Sequence, residues 1–164
     1  CVAAEGLRLQ LDMSMDAAGD SPGVLAASGP SGGVANMADP GERLLCSMSP
    51  TIVEKDGTNV LVLGSPGGSR IITTTLQVIL NVIDHGMNVQ TAVSAPRMHH
   101  QGLPDEIRIE QGISPDTIRL LEERGHKVVG GSAMGAIQSI LIDEDGVLNG
   151  GADPRRSTSS AMGY

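Results

Sequence analysis

The chain has 164 residues, 40% of them hydrophobic and 18% charged, with a formal net charge of −8. That length suffices for one domain or part of one, and the composition supports a packed core and excludes global disorder. An acidic balance without a basic run or an aromatic stacking platform argues against nucleic acid as a partner, and no apolar stretch reaches the length of a membrane span. With no Phe or Trp and only one Tyr, the core must rest on Leu, Ile, Val, Ala and the eight Met. Cys1 and Cys46 do not make a disulfide framework, and no Cys/His spacing matches a zinc site.

The predicted elements run as follows. Residues 1–16 alternate, with Leu7, Leu9, Leu11 and Met13 on one side and Arg8, Gln10, Asp12 and Ser14 on the other, as in a half-buried strand. Residues 17–42 are rich in Ala, Gly, Ser, Pro and Asp and read as a long surface loop. Thr51–Lys55 and Val60–Leu63 form a hairpin around Asp56-Gly57. Ser69–Ile83 is a largely apolar, buried helix, and Asn88–Ala95 a second short one stopped by Pro96. Ile107–Glu110 is a strand, and Ser114 caps a helix over Pro115–Arg124 with Gly125 past its end. Lys127–Val129 and Gln138–Ile142 are strands, the latter turning at Asp145-Gly146. Mixed strands and helices of this kind predict an α/β layered domain, and no internal repeat is visible.

The densest chemical signal lies between the hairpin and the first helix, at Gly64-Ser65-Pro66-Gly67-Gly68-Ser69-Arg70-Ile71-Ile72. Adjacent glycines allow a tight turn that presents N–H groups at the positive end of a helix dipole, which suits an anion or a developing oxyanion. The same turn could be simple punctuation. It is not a P-loop, because no Lys-Ser/Thr follows the glycines, and it lacks the Gly-x-Gly-x-x-Gly spacing of a dinucleotide site.

Other blocks make the stretch specific. Cys46-Ser47-Met48-Ser49-Pro50-Thr51-Ile52-Val53 precedes Gly64 to Thr74, and Asn81-Val82-Ile83-Asp84-His85-Gly86 follows it. Further on come Ala95-Pro96-Arg97-Met98-His99-His100-Gln101, Leu103-Pro104-Asp105-Glu106, Asp153-Pro154-Arg155 and the terminal Gly163-Tyr164. In this order the blocks resemble the small subunit of γ-glutamyltransferase (glutathione hydrolase), densely from about Arg43 onward and more loosely back to Val2. The resemblance implies part of the four-layer αββα sandwich of N-terminal nucleophile hydrolases. On that basis residues 1–164 are expected to be part of a single small-subunit domain that lacks its N-terminal nucleophile segment.

The resemblance also implies an activity and a set of roles. A precursor cleaves itself, and the newly exposed N-terminal Thr carries the acyl group of glutathione or a related γ-glutamyl amide to water, an amino acid or a peptide. That Thr is expected upstream of Cys1. Cys1 itself joins a thiol to an amine, a competent nucleophile–base pair, but the strand that follows it fits an internal strand, so Cys1 reads as an ordinary residue. Gly67 and Gly68 match the oxyanion-hole glycines. Cys46 and Ser47 fall on a Ser-Ser pair that binds the substrate α-carboxylate, although Cys46 equally fits a small buried hydrophobe. Ser14 and Ala17 fall where the family places a Gln/Glu and an Asp against the α-ammonium, so Ala17 lacks the carboxylate. Gly102 and Met98 stand where the family commonly has Trp and Phe.

No cofactor or metal is implied, because adjacent His99 and His100 on a strand point to opposite faces and suit packing rather than a shared metal. Asp84, Asp105, Glu106, Glu122 and Glu123 read as solvated or helix-stabilising charges. The implied partner is a large subunit from the same precursor, and the implied compartment is extracytoplasmic. The chain alone is expected to be inactive. Ala17 keeps open an acylase acting on a des-amino group such as glutaryl, and the missing nucleophile keeps open a non-catalytic homologue.

Overall fold

A computed structural model describes residues 49–163. The strand expected over 1–16, the loop over 17–42, and the candidate positions Ser14, Ala17, Cys46 and Ser47 lie outside the described residues. In chain order the elements are β1 (Thr51–Lys55), β2 (Thr58–Gly64), α1 (Arg70–Ile83), α2 (Val89–Ser94), β3 (Met98–His100), β4 (Ile107–Ile109), α3 (Pro115–Glu123), β5 (Val128–Gly130), β6 (Gln138–Ile142) and β7 (Leu148–Ala152).

The predicted hairpin forms between β1 and β2. Asp56 and Gly57 both take positive φ, 52° and 77°, so the turn twists with the strands it joins. β2 then pairs with β6 and β6 with β7, giving an antiparallel sheet in the order β1-β2-β6-β7. Strand alternation sorts its two faces. Leu61 and Leu63 of β2 point inward and meet Val78 of α1, Val89, Ala92 and Val93 of α2, and Ile137, which together form the core. Ile52, Val62 and Ile140, neighbours in one row across three strands, face the other way and are exposed.

α2 begins where Asn88 accepts the Thr91 N–H at 2.8 Å, and it ends before Pro96 as expected. It rests on the sheet at Gly151. A Cβ there would lie 2.8 Å from Ser139 Oγ and 3.1 Å from Val89 Cγ2, so the close approach requires glycine.

A second sheet has the order β3-β4-β5, with β3 antiparallel and β5 parallel to β4. The parallel pair needs a crossover, and α3 supplies it. Ser114 occupies the N-cap position of α3, but its side chain makes no capping bond, contrary to expectation. The start is set instead by Pro115, whose fixed φ suits the first turn, and by the Ser114 carbonyl accepting from the Ile118 N–H at 3.1 Å. Glu106 also departs from expectation. It is buried rather than solvated, because its carboxylate accepts from Arg108 at 2.9 Å and from Lys127 at 3.1 Å.

Candidate functional site

β2 ends at Gly64, and the chain turns through Ser65-Pro66-Gly67-Gly68 into α1. Gly67 has φ +139° and Gly68 φ +61°, both in the region that favours glycine. For Gly68 the backbone conformation is the whole reason, since a Cβ there would meet nothing within 4 Å. Gly67 has a second reason: its Cβ would lie 3.3 Å from the Cα of Gly135 and 3.6 Å from Ile71 Cγ1. The two predicted glycines are therefore brought together at the positive end of a 14-residue helix, where Ile71 N–H already closes on Gly68 O at 3.2 Å.

Facing Gly67 is a segment without regular secondary structure, Met134–Ile137. Gly135 in this segment has φ +68°, and a Cβ would come within 2.7 Å of Ser65 Oγ and 3.1 Å of Thr74 Cγ2. Buried Ser65 links the two strips. Its hydroxyl donates to Pro66 O at 2.8 Å and accepts from the Ala136 N–H at 3.0 Å.

Behind that segment lies a charged quartet, buried Arg97, Glu110 and Asp153 with partly buried Arg155. Arg97 and Asp153 are 1% and 0% exposed, and their Nη2–Oδ2 distance is 2.7 Å. Arg155 binds Glu110 through Nε, at 2.8 Å to Oε1, and through Nη2 to Oε2. Its Nη1 reaches Asp153 Oδ1 at 3.1 Å. Glu110 also accepts the N–H groups of Met134 (2.6 Å) and Arg97 (2.9 Å), while Asp153 accepts those of Ile137 (2.8 Å) and Arg155 (2.9 Å). Each carboxylate thus accepts four hydrogen bonds, the full capacity of its two oxygens.

Burial by itself would raise the pKa of both acids. The hydrogen bonds from Arg155 and from the Met134 and Arg97 N–H groups overcome it at Glu110, and those from Arg155 N–H and the Arg97 side chain overcome it at Asp153. Both carboxyls are held below their ordinary values. Burial lowers the Arg97 pKa, with Asp153 opposing it. Burial is outweighed at Arg155, where Glu110 and Asp153 raise the pKa.

The histidines separate as a strand requires. His99 is buried between Thr73 Oγ1 (2.8 Å at Nδ1) and Gln101 Oε1 (2.7 Å at Nε2), whereas exposed His100 meets Asp105 at 2.9 Å.

Gly67 and Gly68, the candidates read from the sequence, sit together in the turn before α1, whereas no sequence signal pointed to Ser65 and Gly135 beside them. Sequence reasoning also missed the quartet, although Arg97 and Asp153-Pro154-Arg155 stand in the motif blocks. No local spacing shows that Arg97 meets Asp153, 56 residues away.

Likeness to solved γ-glutamyltranspeptidases places this fold among the N-terminal nucleophile hydrolases, as a partial α/β fold of that type. Residues 2–163 match the γ-glutamyltranspeptidase family, and the chain belongs to it. It is 54% identical over 154 residues to a glutathione hydrolase proenzyme of Escherichia coli K12, covering 94% of this chain and 27% of that protein. It is 40% identical over 114 residues to an Acylase ACY 1 proenzyme of Pseudomonas sp. V22, covering 69% and 20%. A solved mutant of Helicobacter pylori γ-glutamyltranspeptidase superposes with a TM-score of 0.77 at 44% identity, covering 95% of this chain and 85% of that one. The chain spans less than a third of the length of these curated relatives.

Proposed function

We propose that this chain supplies the oxyanion side of an acyl-transfer site for γ-glutamyl groups, taken from glutathione and related γ-glutamyl amides. The observation that carries this reading is the Gly67–Gly68 turn, fixed at the start of α1 and backed by Gly135. When a nucleophile adds to the scissile carbonyl, its oxygen becomes an anion. N–H groups held in position beforehand stabilise that charge without reorganising during the reaction. The nucleophile, an N-terminal Thr, comes from outside residues 1–164, and water or an amino acid takes the acyl group. Ser47, with Cys46, holds the donor's α-carboxylate. The chain works as the small-subunit part of a self-processing enzyme paired with a large subunit and is inactive alone. The relatives' standing as proenzymes supports the processing step.

The test uses the complete polypeptide and a chromogenic γ-glutamyl amide. Gly68→Pro removes the N–H and cannot adopt φ +61°, so turnover should fall at least about 100-fold. Undiminished turnover in that variant would overturn the assignment. Turnover by the isolated chain would overturn its dependence on a partner.

A second reading has an observation of its own. Ala17 offers no carboxylate to an α-ammonium, and the acylase relative is consistent with a des-amino donor such as a glutaryl amide. Glutaryl and γ-glutamyl amides should be compared directly, before and after Ala17→Asp. If the added carboxylate brought no preference for the amino-bearing donor, the role given to this position would be wrong. A complete polypeptide inactive on both donors would instead be a non-catalytic homologue.

A further inference from the structure

We propose that Arg97, Glu110, Asp153 and Arg155 are positioning residues for the oxyanion turn: they clamp the Met134–Ile137 segment, which fixes Gly67 through Gly135 and Ser65. The inference rests on the oxyanion role given above to Gly67 and Gly68.

The segment has no strand or helix ladder of its own to hold it. Its backbone is gripped by side chains instead. Met134 O accepts from Arg97 Nη1 at 2.6 Å, Met134 N–H donates to Glu110, and Ile137 N–H donates to Asp153. Between these anchors, Ala136 N–H donates to Ser65. Fastened at both ends, the segment holds the Gly135 Cα 3.3 Å from where a Gly67 Cβ would stand, a tighter contact than side chains ordinarily make. The quartet is also held from behind, since Arg97 Nη2 and Arg155 Nη1 both donate to Val93 O, at 2.7 and 3.0 Å.

Stability alone does not account for this design. Buried ion pairs return little net free energy beyond the desolvation they cost, and an apolar cluster of similar volume can be as stable. An apolar cluster, however, cannot direct a backbone N–H. Charged groups with every lone pair engaged fix position and orientation together. An oxyanion donor depends on both, because a misplacement of about 1 Å can cost 100-fold in rate.

The experiment uses Ser65→Ala and Glu110→Gln in the complete polypeptide. Glu106→Gln serves as the control, since Glu106 and Glu110 flank opposite ends of β4 and only Glu110 touches Met134. For each, kcat and KM on a γ-glutamyl amide are measured with Tm and with the affinity of a γ-glutamyl boronate, which forms a tetrahedral anion at the nucleophile. Ser65→Ala and Glu110→Gln should each lose about 10- to 100-fold in kcat. Their KM should stay within about twofold, and boronate affinity should fall in step with kcat. The control should leave all three unchanged.

If Ser65→Ala behaves like the control, the positioning role is refuted even while the parent enzyme is active. Should Glu110→Gln fail to fold, Ser65→Ala decides the matter alone. A parent protein inactive on γ-glutamyl and glutaryl amides alike would refute the oxyanion role itself and this inference with it.

Discussion

Replacing Gly135 by Ala measures how tightly the oxyanion turn is backed. Two costs act at that position. At φ +68° an alanine is strained by about 1–2 kcal/mol. Its Cβ would also stand 2.7 Å from Ser65 Oγ and 3.1 Å from Thr74 Cγ2, inside a packed interior, and overpacking of that kind costs about 1–3 kcal/mol. The total is about 2–5 kcal/mol. Gly146 provides the reference, because it has a similar φ of +79° but open space where a Cβ would go. Gly146→Ala should carry only the conformational cost, so the difference between the variants isolates the steric one. Urea midpoints compared at a common m-value in the complete polypeptide give that difference. Equal midpoint shifts for the two variants would refute the close approach of Gly135 to Ser65 and remove the physical basis for the backing of Gly67.

Other outcomes follow from the same geometry. Asp153→Asn should destabilise by about 3–5 kcal/mol, because Arg97 is then left buried against a neutral partner; thermal unfolding reads the loss. Glu110 and Asp153 have folded pKa values below their ordinary ones, so at acid pH the unfolded chain binds more protons than the folded one. Their contribution is therefore complete above the ordinary carboxyl range near pH 4 and drains away as pH falls through the depressed folded values. Urea midpoints from pH 7 to pH 3 should fall less steeply in Glu110→Gln than in the parent. Gly151→Ala should be destabilised by about 1–3 kcal/mol through its clash with Ser139 Oγ. The buried Ser139 hydroxyl lacks a hydrogen-bond partner among the described residues, so Ser139→Ala should be near neutral alone and should rescue part of the Gly151→Ala loss. Additive midpoint shifts would refute that contact.

Much of the fold was legible because its signals are local. The apolar run of β2, the glycines after it and the helix of α1 lie within about two dozen residues, and Pro96 ends α2 where proline must. The burial expected for α1 does not hold, because only one face packs on the core and Ile72, Leu76, Leu80 and Ile83 are exposed. β7 was not legible, since Leu148-Asn149-Gly150-Gly151-Ala152 has neither β-branched residues nor alternation. Its glycine at 151 answers to α2, which lies far away in sequence. Glu106 was misread for a related reason: its cations are Arg108, two residues on, and Lys127, brought by the parallel pairing of β4 with β5. The quartet is the extreme case. Charged residues in a sequence default to the surface, and only tertiary pairing reveals an arginine with 1% exposure.

The outward row of Ile52, Val62 and Ile140 has a counterpart on the helix layer. α1 turns Val78 toward the sheet, but Ile72, Leu76, Leu80 and Ile83 remain exposed along its length. The slab made by the four-stranded sheet and its helices is therefore oily on both broad sides. Water wets surfaces of this kind poorly, and molecules that carry them in isolation gather on one another, on air–water boundaries and on chaperones. Handling this polypeptide is thus a colloid problem before it is an enzymological one. The detergent, salt and concentration at which it stays dispersed will report how much of its surface was meant to be interior.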